Sequence, residues 1–331
     1  AVRDCASIAV SSLDEVLTLA RAKGPTRATV GDAMRDMIDG MAAKDDTNRL
    51  TTGLSDLDAV LGGWRRKQLA ILGGRPSMGK TSVANAAMLR TAKAGHGVLC
   101  FSLEMSQNAL AARCLSDLSW SPNRRIAYSD ALNGRLSDMD LRLWAETAIA
   151  YKALPLTIDD QRGLTMAEIA ARTRAEAQRM ERNGHRLGLV VVDHLGLVKP
   201  SGRYAGNKVQ EVGEISDALA ALAKDQDVAV LALHQLNRGT EGRENKRPTL
   251  SDLRNSGDLE QDADVVCFAY RESYYLERLK CDAGTQAELQ RQTALEACRN
   301  TLELIVAKNR NGEPRTITFY CDMACNVVRD A

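Results

Sequence analysis

Gly74-Arg75-Pro76-Ser77-Met78-Gly79-Lys80-Thr81 is a complete G-x-x-x-x-G-K-[ST] match. Its glycines let the backbone turn tightly enough for its N–H groups to converge on an anion. A helix opening just after the loop adds its positive N-terminal end. In that arrangement Lys80 bridges β- and γ-phosphates, and the Thr81 hydroxyl ligates Mg²⁺. The context supports the match. The apolar run Leu69–Leu72 precedes it and reads as a strand, and a helix over Thr81–Ala94, closed by Gly95, follows. Every residue from Gly74 to Thr81 is therefore an expected nucleotide contact. ATP or another NTP is the expected cofactor, with Mg²⁺.

The same alternation runs outward from this stretch. Val98–Ser102, Leu189–Asp193, Val228–His234, Val265–Tyr270, Leu302–Ala307 and Thr316–Tyr320 read as further strands. Most are continuous apolar runs, which suits strands buried on both faces of a parallel sheet. Helical stretches such as Glu211–Lys224 fit between them, predicting an α/β fold with ligands at the carboxyl ends of the strands. Asn311-Gly312-Glu313-Pro314 is a turn signal that makes the last two strands an antiparallel hairpin. Glu277–Arg299 reads as a polar surface insertion.

Residues 1–47 differ from the rest. Ser12-x-x-Glu15 is a capping box ahead of one helical pattern, which Gly24-Pro25 stops. A second helix begins near Thr29, with Val30, Met34, Met37, Ile38 and Met41 along one face. Periodicity reveals that face and not its partner. Packing on the chain's own core and docking on another subunit both stay open. The expected division is a helical segment over 1–47 and a motor domain over 48–331.

Composition narrows the class. With 331 residues and 44% hydrophobic content, the chain can bury a core without staples. A net charge of +1 means that any nucleic acid must be held by local loops, and 4% aromatics argue against an extensive stacking platform. No run is long and apolar enough to span a membrane. Eight cysteines without Cys-x-x-Cys spacing read as reduced structural thiols of a cytoplasmic protein.

Several residues at strand tips carry candidate chemistry. Asp193, ending Leu189–Asp193, has the Walker B placement for a Mg²⁺ site, against the alternative of a helix cap. Glu104 follows Val98–Ser102, expected to lie beside the P-loop strand. It is either a general base for the attacking water or a surface residue starting the next helix. Gln235 is a candidate γ-phosphate sensor, and His234 before it a packed neutral histidine. Lys308 and Arg310 leave a buried strand, as a solvated turn or as cations reaching a neighbour's phosphate. Lys199, Arg203 and Lys208 follow Asp193, and Arg238, Arg243, Lys246, Arg247 and Arg254 follow Gln235. These two basic loops are either solvated faces or phosphate-backbone contacts made without sequence reading.

Taken in order, Gly74–Thr81, Phe101-Ser102-Leu103-Glu104-Met105-Ser106, Val191-Val192-Asp193, Gln235-Leu236-Asn237-Arg238, Ser251–Arg254 through Glu260–Asp264, and Ala307–Gly312 resemble the motif set of the DnaB-type replicative DNA helicases. Thr52–Asp58 with Gly62-Gly63 is similar to the entry of that family's motor domain. The resemblance spans residues 48–329. It implies a RecA-like P-loop NTPase with a mostly parallel sheet, working as a hexameric ring that translocates on single-stranded DNA. It makes Glu104 the catalytic glutamate, Asp193 the Walker B residue and Gln235 the γ-phosphate sensor. Lys308 and Arg310 become the pair completing the neighbour's site, and Arg254, Asn255 and Gly257 part of a DNA-phosphate loop. It also tilts the helix near Thr29 toward docking on an adjacent subunit. Three departures stand out. About 47 residues precede the motor, too few for the family's N-terminal domain plus linker, which puts primase contact in doubt. His194 stands where the family has Tyr, and Asn255 where it has Glu. A helicase loader is a further candidate partner. Two other readings remain: a RecA-like repair or recombination ATPase, and an ATP-gated DNA-binding scaffold or loader that does not unwind.

Overall fold

The computed structural model describes residues 28–42, 49–204, 206–237, 242–256 and 259–331. The chain divides after Thr47 into two units. In the first, α1 spans Val30–Ala42. Thr29 caps it, its Oγ1 accepting from the Asp32 amide at 3.2 Å. Val30, Met34, Met37 and Ile38 are all largely exposed along this helix. The pattern led by Ser12 lies outside the described residues.

The second unit opens with β1 (Arg49–Leu50), α2 (Ser55–Leu61) and β2 (Trp64–Arg65), where β1 and β2 pair as a small antiparallel ladder. Nine strands then form one sheet: β3 (Leu69–Gly74), β4 (Gly97–Ser102), β5 (Leu156–Asp159), β6 (Leu187–Asp193), β7 (Ala229–Gln235), β8 (Val265–Tyr270), β9 (Thr301–Asn309), β10 (Arg315–Asp322) and β11 (Val327–Asp330). Their order is β11-β10-β9-β8-β3-β7-β6-β4-β5. From β8 to β5 neighbours are parallel, and from β8 to β11 antiparallel. The expected hairpin of the last two recognised strands is β9–β10, and β11 extends it.

Helices cover both faces: α3 (Lys80–Lys93), α4 (Gln107–Leu118), α5 (Tyr128–Leu132), α6 (Asp138–Ala150), α7 (Met166–Arg182), α8 (Lys208–Asp225), α9 (Leu259–Asp262), α10 (Glu272–Leu276) and α11 (Gln286–Cys298). This explains the unbroken apolar runs. In β3, Ala70 and Leu72 enter the core layer of α3, while Leu69 and Ile71 enter the opposite layer. Val190, Val191 and Val192 of β6 are all fully buried, each side chain contributing about 1.5–3 kcal/mol. Cys100 and Cys267 sit in these layers, and burial pushes the Cys267 thiol up to about 12. No described helix is long and apolar enough to cross a membrane.

One expected placement changes. α8 starts at Lys208, capped by Asn207, so Lys208 stands in a helical first turn rather than in a loop. β5 and β11 are strands that the sequence reading passed over; both are short edge strands of four residues.

Candidate nucleotide-binding and hydrolysis site

Parallel pairing brings the carboxyl ends of β3, β7, β6 and β4 to one edge of the sheet. Gly74 is in register with Gln235, and Ser102 with Asp193. The loop Gly74–Thr81 leaves β3 there and enters α3. Ser77 and Gly79 both have left-handed backbones, with φ of 64° and 91°. Such reversals turn successive N–H groups toward one concavity, an anion nest at a helix N-terminus. A Cβ on Gly79 would come within 2.7 Å of Leu302 Cδ1, so the position needs glycine for space as well as for φ.

Lys80 folds over this loop, its Nζ donating to the Gly74 carbonyl at 2.8 Å and the Arg75 carbonyl at 3.0 Å. Burial lowers its pKa to about 8, opposed in part by Asp193 and Glu104. Thr81 Oγ1 donates to Asp193 Oδ2 at 3.1 Å. Asp193 is 7% exposed, and burial raises its pKa against the Thr81 hydrogen bond. A hydroxyl and a carboxylate held this way are a hard-oxygen pair that fits Mg²⁺.

Glu104 corrects one expectation. Its strand β4 does not neighbour β3; β7 and β6 stand between them. Glu104 nevertheless reaches the site through β6, because the Leu103 amide donates to the Asp193 carbonyl at 2.8 Å. Its charge acts on both Asp193 and Lys80. The next helix begins only at Gln107 behind the Ser106 cap, so Glu104 is not a helix-start residue. Gln235 ends β7 exposed. Beside it the Leu236 amide donates to the Gly74 carbonyl at 3.2 Å, and Arg75 Nη1 donates to the Leu236 carbonyl at 2.8 Å. His234 is buried, and burial holds its pKa down at about 4, a neutral imidazole as expected.

A cleft of about 280 Å³ extends from Lys80 and Thr81 to Arg113, Tyr128, Arg271 and Met323. The Arg113 guanidinium lies 4.3 Å from the Tyr128 ring centroid. Arg271 Nη1 approaches the Ser77 carbonyl at 3.4 Å. Sequence reasoning missed these four. They come from α4, α5, the end of β8 and the β10–β11 turn, and no spacing links them.

Lys308 and Arg310 are not brought to this cleft. Lys308 Nζ donates to the Glu260 carbonyl. Arg310 donates to Asp264 Oδ1 at 2.9 Å and to the Gln261 carbonyl at 2.7 Å. Asp264 in turn accepts from the Leu69 amide at 3.0 Å, at the start of β3. The loop Gly74–Thr81 leaves the other end of that strand, about 17 Å away at a strand's rise per residue.

The basic loops separate into two kinds. Arg203 and Lys208 are exposed beyond the same sheet edge as the cleft. Arg243 and Arg247 are instead taken by carboxylates, Asp252 at 2.6 Å and Glu303 at 2.6 Å, which removes them as open phosphate contacts. Arg254 and Asn255 lie in a 3-10 turn, Leu250–Ser256. Their side chains, and Arg238 and Gly257 entirely, lie outside the described residues.

The model of the DnaB-like helicase C-terminal domain matches residues 49–328. The chain belongs to that family. The replicative DNA helicase DnaB of Rickettsia typhi is 37% identical over 305 residues, 89% of this chain and 59% of the relative. The replicative DNA helicase DnaC of Bacillus subtilis is 37% identical over 280 residues, 83% of this chain and 55% of the relative. The chain thus spans little more than half the length of these DnaB-type relatives. Among solved structures, the ATPase domain of G40P superposes with a TM-score of 0.76 at 27% identity, covering 92% of this chain and 99% of that one. A DnaB-like replicative helicase, studied together with its interactions with primase, gives 0.74 at 26% identity, covering 99% of this chain and 76% of that one. The RecA-like motor fold of the DnaB-like family is therefore the fold of this chain.

Proposed function

We propose that this chain is the NTP-hydrolysing motor of a ring-forming replicative helicase, translocating on single-stranded DNA to unwind duplex. The observation that carries the reading is the separation of Arg310 from its own P-loop by the full length of β3. A site whose neighbour-directed cations sit on the opposite edge is completed only in an oligomer, as ring motors require. Family membership disfavours the repair ATPase and the non-unwinding scaffold.

At the cleft, Lys80 neutralises β- and γ-phosphate oxygens, and the nest of Ser77 and Gly79 holds the triphosphate. Thr81 and Asp193 would hold Mg²⁺, which would supply charge neutralisation across the phosphates. Glu104 accepts the proton of the attacking water, and Gln235 senses the γ-phosphate. Arg310 and Lys308 of one subunit stabilise transferring charge in the next. Arg203, Lys208 and the Leu250–Ser256 turn, with Arg254, Asn255 and the adjoining Gly257, hold DNA phosphates. The exposed apolar face of α1 docks on an adjacent subunit. A primase and a loader are candidate further partners.

The test is NTP hydrolysis by the purified oligomer with and without single-stranded DNA, paired with strand displacement on a forked substrate. DNA-stimulated hydrolysis with displacement is expected. Hydrolysis indifferent to DNA, with no displacement, overturns the reading.

A further inference from the structure

Arg247 holds an unusual position for a residue in a polar connection. Its Nε donates to Glu303 Oε2 at 2.7 Å and its Nη2 to Glu303 Oε1 at 2.6 Å, a two-pronged fork. Nη2 also meets Glu272 Oε2 at 3.2 Å, and the guanidinium lies 4.7 Å from the Tyr270 ring centroid. Exposed ion pairs usually contribute little. This one differs, because the fork is bidentate, the Glu303 side chain is only 18% exposed, and the cation also meets a ring face.

The partners lie where two lines of structure meet. Tyr270 and Glu303 are cross-strand neighbours of β8 and β9. The residue after Tyr270 is Arg271, which reaches the Ser77 carbonyl of the P-loop. The far end of β9 carries Lys308, and Arg310 follows its last residue, Asn309. On its own side, Arg247 precedes Thr249, whose amide donates to Asp252 Oδ2 at 2.8 Å and so starts the Leu250–Ser256 turn.

We propose that Arg247 is a positioning residue which, through Glu303 and Tyr270, fixes the β7–β8 connection to the β8–β9 strand pair and so couples DNA contact to NTP turnover. It rests on the helicase reading above. One guanidinium sets the turn assigned to DNA phosphates against both Arg271 at the chain's own P-loop and the strand serving the neighbour. Removing the fork lets the turn move without moving either.

The experiment compares Arg247→Gln, Arg247→Lys and Glu303→Gln with the wild-type oligomer. It measures basal hydrolysis, hydrolysis saturated with single-stranded DNA, and DNA affinity. In all three variants the stimulation ratio should fall about tenfold, a typical coupling loss. Basal kcat and KM should shift by no more than about twofold on the same scale. Lys should fail to rescue, because an ammonium offers a point contact and not a fork. A charge-reversed pair, Arg247→Glu with Glu303→Arg, should recover part of the ratio. A preserved ratio, or basal and stimulated rates falling in parallel with thermal stability, overturns the proposal alone. A wild-type oligomer without DNA stimulation overturns the helicase reading as well.

Discussion

The Thr81 hydroxyl donates to Asp193 Oδ2 at 3.1 Å, joining the first turn of α3 to the tip of β6. Two oxygens from different elements meet at the edge where the P-loop amides converge. Asp193→Asn removes the carboxylate charge while keeping its shape. Because burial already raises the pKa of Asp193, the neutral amide should be tolerated, with a thermal midpoint at or above wild type. Mg²⁺-dependent turnover should fall by two orders of magnitude or more, on the order of the loss of one well-placed electrostatic group. Fluorescent-nucleotide binding in EDTA should persist. Loss of that binding would place Asp193 in the nucleotide cradle rather than at the metal.

Lys80 makes a second, opposite case. An ammonium whose pKa is drawn down to about 8 costs the folded protein stability at neutral pH, since its ordinary value is 10.5. Lys80→Met should therefore leave thermal stability equal or improved when no nucleotide is added. Nucleotide affinity should drop by about 100-fold or more, the equivalent of one or two charge-assisted hydrogen bonds at about 1.5–3 kcal/mol each. Calorimetry and a binding titration separate the two. A variant that binds normally would remove Lys80 from the triphosphate.

These residues were legible in sequence because each sits at a strand end that an apolar run announces. Gly74, Asp193 and Gln235 needed only the P-loop and the tips of β6 and β7. Glu104 is legible as a candidate, but its route to the P-loop edge is not: strand order is set by pairing across the sheet, and local pattern does not encode which strands lie between β3 and β4. Arg113, Tyr128, Arg271 and Met323 were invisible for a related reason, since four separate elements deliver them to one cleft. Arg247 shows in sequence only as one cation of a basic run, because its partner Glu303 lies 56 residues away. Charge alone shows neither a partner nor its absence.

Asp330 gives a pH-dependent prediction. Near the end of β11, its carboxylate accepts from the Ser55 amide at 3.0 Å and the Asp56 amide at 3.4 Å, capping α2 from the far end of the chain. Burial works against it, but the Ser55 and Asp56 hydrogen bonds prevail and hold its pKa below the ordinary 3.8. The sign follows: stability from this cap is complete above the unfolded value and is lost as pH falls through the lower folded one. Asp330→Asn should cost about 0.5–1 kcal/mol at neutral pH, a modest cap loss for an exposed group. The difference from wild type should begin to shrink as pH falls through the ordinary value of 3.8 and should vanish only once the folded carboxyl is itself protonated, below its lowered pKa. Thermal melts between pH 3 and 7 check this; a constant difference across that range would assign the effect to shape rather than charge.

Arg310 tests the oligomeric reading directly. Its guanidinium is held by Asp264 and the Gln261 carbonyl, beside the start of β3. No side-chain rotation carries it along that strand to its own Lys80. If it acts on phosphate at all, it acts on a neighbour's. Arg310→Ala should then lower turnover by about 10³ or more in the pure variant, the usual scale for such a finger. Nucleotide affinity at the variant's own P-loop contacts, Gly74–Thr81, should change far less. In the proposed ring, each variant subunit mixed with wild type would disable the next site rather than its own. A double mixture makes the point sharpest. Arg310→Ala and Lys80→Met are each inactive alone, but a mixed ring contains interfaces where an intact P-loop faces an intact finger. Partial recovery of hydrolysis on mixing is the expected outcome, measured by steady-state NTPase at fixed total protein. No recovery at any ratio, in rings shown by size to have mixed, would mean that Arg310 does not complete a neighbour's site.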